Sequence, residues 1–317
     1  MRWWLLILLG VFAAACAHAE ESEPPADADK RIALTFDDAP RGPGAFLSAD
    51  ERTRLLIENL AQAGVEQAAF FVNPGQIDGP DDERRIAAYV AAGHVLANHT
   101  ATHPRLSQTD LAAYLADIDA GEAWLRGREG YRPWFRYPYL DEGRQDEAKR
   151  DAVRAALAER GLVNGYATVD ASDWFYEGAA KRAVAEGHDV DRDALRDLYV
   201  EAHVEAAEFY DTLARQAIGR SPAHVMLLHE TDIAALWIAD LVAALEANGW
   251  TIISADEAYA DPFGEYAKTF DTPSAQGTLT EMVAWEAGIP APRWYRGNDT
   301  GLAQQLFDLR VLGLPPP

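Results

Sequence analysis

The 317-residue chain contains a single cysteine, Cys16, and only 28 lysine and arginine residues against 51 aspartate and glutamate residues. One cysteine cannot form a disulfide within the chain, so the fold must be stabilised by other interactions. The formal net charge of −23 leaves no basic surface that could neutralise phosphates. This charge argues against a nucleic-acid partner and against binding to an anionic membrane. It is typical of a soluble protein whose copies repel one another.

Long apolar runs are also scarce, and the one that stands out covers residues 3–15. This run follows Arg2 and precedes small residues and an acidic, proline-containing stretch, which is the pattern of a secretory signal. It is too short to span a bilayer comfortably. We therefore predict a signal peptide over residues 1–19 and a disordered acidic leader over residues 20–29. The exported protein is expected in the periplasm or outside the cell, with no stable membrane insertion once the signal is removed.

Cys16 leaves an alternative open for this export signal. Cleavage after Ala19 would remove the cysteine and leave a mature chain without any thiol. Cys16 could instead become a lipidated first residue, because three alanines precede it. The leucine expected three positions upstream of such a cysteine is missing, so this alternative is the weaker one.

Downstream of residue 30, short apolar runs alternate with segments whose apolar residues recur every three or four positions. The runs predict seven strands, at residues 32–36, 68–73, 94–98, 134–139, 164–170, 225–229 and 251–254. The periodic segments predict five helices, at residues 52–63, 82–92, 108–126, 144–160 and 231–248. A glycine follows four of these helices, where a left-handed C-cap is favoured: Gly64, Gly93, Gly161 and Gly249.

This alternation indicates parallel strands joined by crossover helices, and hence an α/β fold. About seven units predict a distorted or incomplete (β/α) barrel. An open doubly wound sheet is the alternative, although no glycine-rich phosphate turn follows the first strand. Residues 175–222 are predicted to be a polar helical insertion that packs outside the barrel. Residues 261–317 are predicted to be an irregular C-terminal extension that wraps the domain or covers a substrate groove.

Three of the apolar runs end abruptly in residues that can bind a metal ion or move a proton. Asp37 and Asp38 end the first run, His99 and His103 follow the third, and His229 ends the sixth. Because α/β barrels carry their chemistry at the C-terminal ends of the parallel strands, we expect these side chains to converge. Two imidazoles and one carboxylate suit a catalytic metal ion that keeps one position for water. The pattern predicts a metal-dependent hydrolytic site.

Five motifs in this chain resemble those of the polysaccharide deacetylases, the fourth carbohydrate esterase family, and they occur in the same order. They are Thr35-Phe-Asp-Asp-Ala-Pro40, His99-Thr-Ala-Thr-His103, Phe135-Arg-Tyr-Pro-Tyr139, Asp170-Ala-Ser-Asp-Trp174 and Leu227-Leu-His229. On this resemblance, residues 30–260 form a polysaccharide deacetylase catalytic domain. The first motif departs from the family pattern, because Ala39 stands where glycine is usual and the loop after it, residues 41–44, is longer than usual.

The resemblance also implies the roles of the reactive residues. Asp38, His99 and His103 would hold a divalent metal ion, most often Zn²⁺, which makes water more acidic and polarises the acetyl carbonyl. Asp37 would be the base that takes the proton of the attacking water. His229 would be the acid that protonates the leaving nitrogen or oxygen, a task that suits a group titrating near neutral pH.

Arg136 and Asp173 receive supporting roles from the same resemblance. Arg136 would keep Asp37 ionised and oriented through charge pairing. Asp173 would be the acidic partner of His229, with Asp170 as the second choice. Structural alternatives remain for two of them: Arg136 could be a buried ion pair that only braces the barrel mouth, and Asp170 could simply form a turn.

Tyr139 and Trp174 are expected to bind the substrate. The backbone N–H of Tyr139 would stabilise the developing oxyanion, and Trp174 would wall the pocket that receives the acetyl methyl group. Both could alternatively be packing residues, since tryptophan in particular is mostly buried. Glu230, which follows the proposed acid, could either tune its pKa or face solvent. His203 and His224 are expected to be solvated.

The leading hypothesis is an exported metal-dependent deacetylase that removes N-acetyl groups from a glycan such as peptidoglycan or a chitin-like polymer. An O-acetyl esterase acting on acetylated polysaccharide would use the same site. A non-catalytic glycan-binding protein would keep the fold without the reaction. Three aromatic residues of the extension, Trp285, Trp294 and Tyr295, could stack on sugar rings in each case. The sequence favours no particular oligomeric state.

Overall fold

The computed structural model describes residues 30–315. The predicted signal peptide, the acidic leader and Cys16 lie outside the described residues. Between residues 30 and 315, no helix combines the length and the apolar character needed to cross a membrane.

Eight short strands form one sheet, and every pair of neighbouring strands in it is parallel. The strands are β1 Arg31–Ala39, β2 Ala69–Val72, β3 Val95–Asn98, β4 Tyr131–Phe135, β5 Val163–Asn164, β6 Val169–Asp170, β7 Ala223–His229 and β8 Thr251–Ile252. Their order is β5-β4-β3-β2-β1-β7-β6, and β8 pairs with the start of β1. The long first strand therefore lies in the middle, and its residues Ile32, Leu34 and Phe36 are fully buried.

The connection between β5 and β6 shows that the sheet curls. These two strands lie at opposite ends of the strand order, yet only residues 165–168 separate them in the chain. Five residue steps reach at most roughly 18 Å, so the two edges must approach each other. The sheet is thus an incomplete barrel, as predicted, and the alternative of an open doubly wound sheet is wrong. The predicted strand at residues 164–170 is also wrong in detail, because the chain crosses the open seam of the barrel there.

Ten α-helices surround this sheet within the described part of the chain. They are α1 Ala49–Gln62, α2 Pro80–Ala91, α3 Leu111–Leu125, α4 Glu147–Glu159, α5 Asp173–Ala185, α6 Arg192–Ile218, α7 Asp232–Ala247, α8 Ala255–Tyr259, α9 Leu279–Glu286 and α10 Thr300–Arg310. All five helices predicted between strands are present, with shifts at their ends. The four glycines expected after them have left-handed φ values between 70° and 96°, which a glycine adopts at little cost.

The helical insertion is part of the core rather than an external polar appendage. Helix α6 buries one face, which carries Leu195, Leu198, Tyr199 and Tyr210. Apolar residues at three- and four-residue spacing form this face, and it packs against α7, α9 and β6. The expected solvation of two histidines is also wrong. His203 lies on the buried face of α6, and His224 is buried within β7.

The C-terminal extension, residues 261–315 of the described chain, also packs into the barrel. It contains the 3₁₀ turn Pro262–Lys268 and helices α9 and α10. Phe263, Phe270 and Leu279 are buried in a cluster with Ala33 of β1 and Val225 of β7. The extension therefore shares a hydrophobic core with the central strands.

Candidate metal and catalytic site

Asp37 and Asp38 lie at an irregularity near the end of β1. Successive side chains of a regular strand point to opposite faces, so two adjacent acids would normally diverge. The pairing of β1 with β2 shifts register between Phe36 and Ala39, and Asp38 has a left-handed φ of 64°. This bulge-like irregularity lets both carboxylates line the same cleft. Ala39, where the family usually has glycine, does not have a positive φ, so the alanine causes no backbone strain there.

The loop that carries the two histidines follows β3 and is fixed by its neighbours. Asn73 donates a hydrogen bond to the carbonyl of His99 (2.5 Å), and the Asn98 carboxamide accepts one from the Thr100 N–H (2.7 Å). Thr100 and His103 have positive φ values of 63° and 62°. Such backbone strain in residues other than glycine tends to occur at functional sites, where the surrounding structure maintains it.

The three predicted metal ligands converge. One ligand atom from each of Asp38, His99 and His103 can be chosen so that all lie within 4.8 Å of one another. Asp38 Oδ1 lies 3.2 Å from His103 Nε2 and 3.6 Å from His99 Nε2. This Oδ1 is buried and has no hydrogen-bond partner among the described residues, as expected for an atom that binds a cation.

The tautomer of His99 also fits a ligand role. Its Nδ1 donates a hydrogen bond to the carbonyl of Arg136 (2.9 Å), which leaves Nε2 with a lone pair that faces Asp38. Burial lowers the pKa of His99 well below its usual value, so the ring is neutral, as a metal ligand must be. The pKa of Asp38 is lowered because the nearby imidazoles of His229 and His103 outweigh the effect of burial.

Asp37 pairs with the guanidinium of Arg136, which is fully buried. Arg136 Nη1 donates to Asp37 Oδ1 (2.7 Å) and to the hydroxyl of Thr35 (2.8 Å). Its Nε donates to the carbonyl of Gly165 (2.7 Å), and its Nη2 donates to the hydroxyl of Tyr259 (2.8 Å). Arg136 therefore braces the barrel seam and orients Asp37 at the same time, so the bracing alternative and the predicted role are compatible.

His229 lies next to Asp37 because β7 runs beside β1, and the two residues are register partners. Its Nδ1 donates to Asp173 Oδ1 (2.6 Å), and its backbone N–H donates to Asp173 Oδ2 (2.7 Å). Burial alone would lower the pKa of His229, but the charge and hydrogen bond of Asp173 raise it to about 9. Asp170, the second choice for this partner, instead accepts a hydrogen bond from the Ser172 N–H (2.8 Å).

Tyr139 and Trp174 both line the cleft that contains these residues. The cleft has a volume of about 660 Å³, within the range of ligand sites. Tyr139 has a positive φ of 60°, and its ring lies 4.5 Å from that of His103, centroid to centroid. The side chain of Trp174 is 46% exposed. Neither residue is a buried packing residue.

Sequence reasoning missed the guanidinium of Arg41. This side chain donates to the second carboxylate oxygen of Asp38 (2.7 Å, Nη1 to Oδ2) and lines the cleft. The backbone N–H of Arg41 donates to Glu230 (2.6 Å), which is buried and thus does not face solvent as one alternative had it. The position of Arg41 directly after the first motif was the only signal that could have indicated its involvement.

Residues of the C-terminal extension form another part of the cleft, and of these the sequence had offered only Trp294, as a residue that could stack on a sugar ring. Gln276, Trp294 and Asn298 line it together with the predicted catalytic residues. Tyr259, whose hydroxyl accepts a hydrogen bond from Arg136, was missed as well. No pattern near Gln276, Asn298 or Tyr259 resembles a motif, so only their position in the fold associates these three with the site.

Comparisons with known proteins agree with the motifs. The family model described as polysaccharide deacetylase matches residues 25–162, which include the first three motifs. A chitooligosaccharide deacetylase of Rhizobium leguminosarum bv. trifolii is 41% identical over 91 residues, which is 28% of this chain and 37% of that protein. A peptidoglycan-N-acetylglucosamine deacetylase of Bacillus cereus is 30% identical over 144 residues, 45% of this chain and 46% of that protein. The alignments thus span less than half of these two relatives.

Among solved structures, a family 4 carbohydrate esterase from Streptomyces lividans in complex with acetate is 25% identical to this chain. The alignment covers 72% of this chain and 95% of that one, with a TM-score of 0.47. The fourth and fifth motifs lie beyond the residues that the family model matches. The family-model match over residues 25–162, the ordered motifs and the similar relatives show that this chain is similar to the polysaccharide deacetylases.

Proposed function

We propose that this protein is an exported, metal-dependent hydrolase that removes N-acetyl groups from a glycan. One observation carries the proposal: the ligand atoms of Asp38, His99 and His103 converge in the cleft that also contains Asp37 and His229. A ligand cluster, a second carboxylate and an imidazole are the groups that amide hydrolysis with a metal-activated water requires.

The donor set fits a divalent cation, and Zn²⁺ is the ion we propose. Two imidazole nitrogens and one carboxylate oxygen match a common catalytic zinc set and leave room for further ligands. The buried, unpaired Oδ1 of Asp38 and the free Nε2 of His99 support this fit. When bound, such an ion makes a water more acidic and polarises the carbonyl that is attacked.

Asp37 is the proposed base. Arg136 occupies Oδ1 of Asp37 and leaves Oδ2 directed towards the ligand cluster, 3.6 Å from His99 Nε2. A carboxylate held in this way can accept the proton of a water that attacks the acetyl carbon. The fully hydrogen-bonded guanidinium prevents Asp37 from rotating away, which preserves the geometry needed for proton transfer.

His229 is the proposed acid, and Asp173 is its positioning partner. Because Asp173 binds Nδ1, the Nε2 of the ring is available for the leaving nitrogen. A pKa of about 9 means that His229 carries its proton at neutral pH, as a general acid must. Tyr139 and Trp174 complete the proposed site, with the Tyr139 N–H stabilising the oxyanion and the indole walling the acetyl pocket.

The names of the relatives support a proposed substrate class. Both curated relatives described above are named as deacetylases of N-acetylated glycans, a chitooligosaccharide in one case and peptidoglycan in the other. We propose the same class for this chain, with the amide bond of an N-acetylated sugar as the bond that is cleaved. Residues 30–260 supply the proposed catalytic domain.

Acetate release tests this function. Purified protein is incubated with chitin oligomers, peptidoglycan and acetylated xylan, after treatment with a chelator and after addition of Zn²⁺. We expect acetate from an N-acetylated substrate, loss of at least 90% of the rate after chelation, and recovery with Zn²⁺. Release from acetylated xylan alone would indicate an O-acetyl esterase, and no release from any substrate would indicate a glycan-binding protein.

A pair of variants separates the base from the metal ligands. Asp37→Asn is expected to reduce turnover by about 10³-fold or more while bound zinc stays near the wild-type level, because only the base is removed. His103→Ala is expected to lose both zinc and activity. Zinc content is measured by elemental analysis of the same samples. An Asp37→Asn variant that retained most of the activity would refute its role as base.

The N-terminal sequence supports export, since a charged start, an apolar run and small residues precede the domain. Mass analysis of the mature protein recovered from outside the cytoplasm tests this proposal. A mature start near Glu20 would agree with signal cleavage, and a lipid-modified Cys16 would agree with the alternative anchor. A chain that remained intact in the cytoplasm would contradict both.

A further inference from the structure

The C-terminal extension lies across the open seam of the barrel, beside the proposed acetyl site. Its Leu279 N–H donates to the carbonyl of Ala167 (2.8 Å), and its Thr280 hydroxyl donates to the carbonyl of Thr168 (3.0 Å). These two carbonyls belong to the connection between β5 and β6. The Gly277 N–H donates to the carbonyl of Leu140 (3.2 Å), directly after the third motif. The extension is thus attached to both the seam connection and the segment that follows the third motif.

A second segment of the extension holds the loop of the fourth motif. The carboxamide of Asn298 donates to the carbonyl of Asp170 (2.9 Å) and accepts from the hydroxyl of Ser172 (3.0 Å). Both ends of the amide are therefore used on the loop immediately before Asp173 and Trp174. Ser172 has a left-handed φ of 53°, a conformation that these hydrogen bonds help to fix. Asn298 is a positioning residue for this loop.

Trp294 lies between these two attachment points and lines the cleft. Its side chain is 45% exposed. Within residues 30–315 it has neither an aromatic or cationic partner for its ring nor a side-chain hydrogen bond for its indole N–H. An exposed indole ring without such partners offers an apolar surface to a ligand in the cleft. Trp174, at the start of α5, offers a second half-exposed indole to the same cleft.

The surroundings of Trp294 match the surface of a sugar ring. A pyranose has an apolar C–H face and a rim of hydroxyls, so it binds where an aromatic face is bordered by polar side chains. Gln276, Ser172 and Asp170 supply polar groups in the same cleft. The cleft volume of about 660 Å³ exceeds what a single acetyl group requires.

The other aromatic residues of the extension do not share this environment. Trp285 is equally exposed, at 44%, but it does not line the cleft, and the guanidinium of Arg293 covers its ring at 4.2 Å. Tyr295 donates its hydroxyl to Glu205 (2.6 Å) and packs near Phe209. Of the three aromatic residues that the sequence offered for sugar stacking, the structure selects Trp294.

We infer that Trp294 is the stacking platform of a second sugar subsite, adjacent to the acetyl site and built by the C-terminal extension. The substrate then spans at least two sugar rings, one that loses its acetyl group and a neighbour that stacks on Trp294. This inference rests on the proposed function for its first ring and adds the second. It assigns the extension a role in substrate specificity.

Steady-state kinetics on substrates of increasing length test the subsite. Trp294→Ala is compared with Trp285→Ala, the matched control from the same extension, on 4-nitrophenyl acetate and on chitin oligomers of two to five sugars. For the oligomers we expect Trp294→Ala to raise KM about tenfold, because a ring contact is lost. For 4-nitrophenyl acetate, which has no sugar, we expect Trp285→Ala to behave like the wild type and Trp294→Ala to change KM much less than it does for the oligomers. Trp294→Phe, which keeps a ring, should recover part of the oligomer affinity.

Calorimetric titration of metal-depleted protein with chitotriose gives a readout independent of turnover. Binding that weakens in Trp294→Ala and persists in Trp285→Ala supports the subsite even if no acetate were released by the wild type. If the wild type releases acetate but both variants match it in KM and in chitotriose binding, the subsite is wrong and the proposed function stands. Thermal unfolding of each variant confirms that the fold is intact.

Discussion

At the residue scale, the pair formed by His229 and Asp173 is expected to set the alkaline limit of the proposed reaction. Two hydrogen bonds join them, and Asp173 is fully buried. Burial opposes the charged form of His229, whereas the carboxylate of Asp173 favours it and raises the pKa to about 9. The protonated form is the active one, so activity is present below this pKa and is lost as the pH rises through it.

Replacing Asp173 should therefore move the alkaline limit of activity. In Asp173→Asn the charge is gone and burial remains, so the pKa of His229 falls below about 9. We expect the alkaline limb of the kcat/KM profile for acetate release to shift down by at least about one pH unit. Asp119→Asn, which removes a surface ion pair with Arg160, is the control and should leave the limb in place. An unchanged limb in Asp173→Asn would mean that another group sets it.

At the element scale, the buried charged side chains of Arg52 and Asp232 hold the loop between β1 and α1 in place. Arg52 donates to the carbonyls of Arg41 (2.5 Å) and Gly42 (2.8 Å) through one nitrogen and to Asp232 (3.1 Å) through another. Asp232 also accepts from the N–H groups of Phe46 (2.7 Å) and Leu47 (2.8 Å). These contacts hold the loop so that Arg41 reaches Asp38. A buried carboxylate with this many donors cannot move without leaving them unpaired.

Gly44 provides a test of this loop. A Cβ at position 44 would overlap the carboxylate of Asp232, whereas a Cβ at Gly42 would meet nothing within 4 Å. We expect Gly44→Ala to lower the free energy of unfolding by about 1–3 kcal/mol, the usual cost of overpacking. Acetate release should fall as Arg41 is displaced. Gly42→Ala is the matched control and should have stability and activity near those of the wild type. Chemical denaturation measures the stability of the two variants. Equal stability of Gly44→Ala and Gly42→Ala would contradict the close packing of this loop against Asp232.

At the scale of the whole molecule, residues 30–260 and the extension share one structure. Phe263, Phe270, Leu279 and Met282 fill a core cluster beneath β1 and β7. Asp261, at the start of the extension, accepts hydrogen bonds from Arg220 (2.6 Å) and from the N–H of Ala223 at the start of β7 (2.9 Å). The extension is thus required by the core as well as by the cleft.

A chain that ends at Ala260 should consequently fail to fold. Each large apolar side chain removed from the core costs about 1.5–3 kcal/mol, and several such losses exceed a typical total stability of about 5–15 kcal/mol. We expect the truncated protein to show no cooperative thermal transition by circular dichroism. A chain ending at Leu312 keeps every buried residue of the extension and should unfold like the full-length protein. Cooperative unfolding of the shorter chain would show that residues 30–260 fold on their own.

The sequence by itself determined most of the elements and the candidate site residues. Alternation of apolar runs and helical periods predicted the strands, because each pattern reflects which face of one element is buried. Glycines with positive φ end the helices where predicted. The motifs identified Asp37, Asp38, His99, His103 and His229, and the fold brings all five into one cleft. These signals are local, so the sequence contains them directly.

Only the tertiary structure decided which distant segments of the chain contact each element. It divided the predicted strand at residues 164–170 between two edges of the barrel, and it brought Asp173 rather than Asp170 to His229. It buried His203 and lined the cleft with Trp294. A residue's own neighbours in sequence fix its periodicity, whereas burial and hydrogen-bond partners depend on segments that are distant in the chain, as with Asp173 and His229, which are 56 residues apart. Those long-range contacts are set by packing of the complete chain.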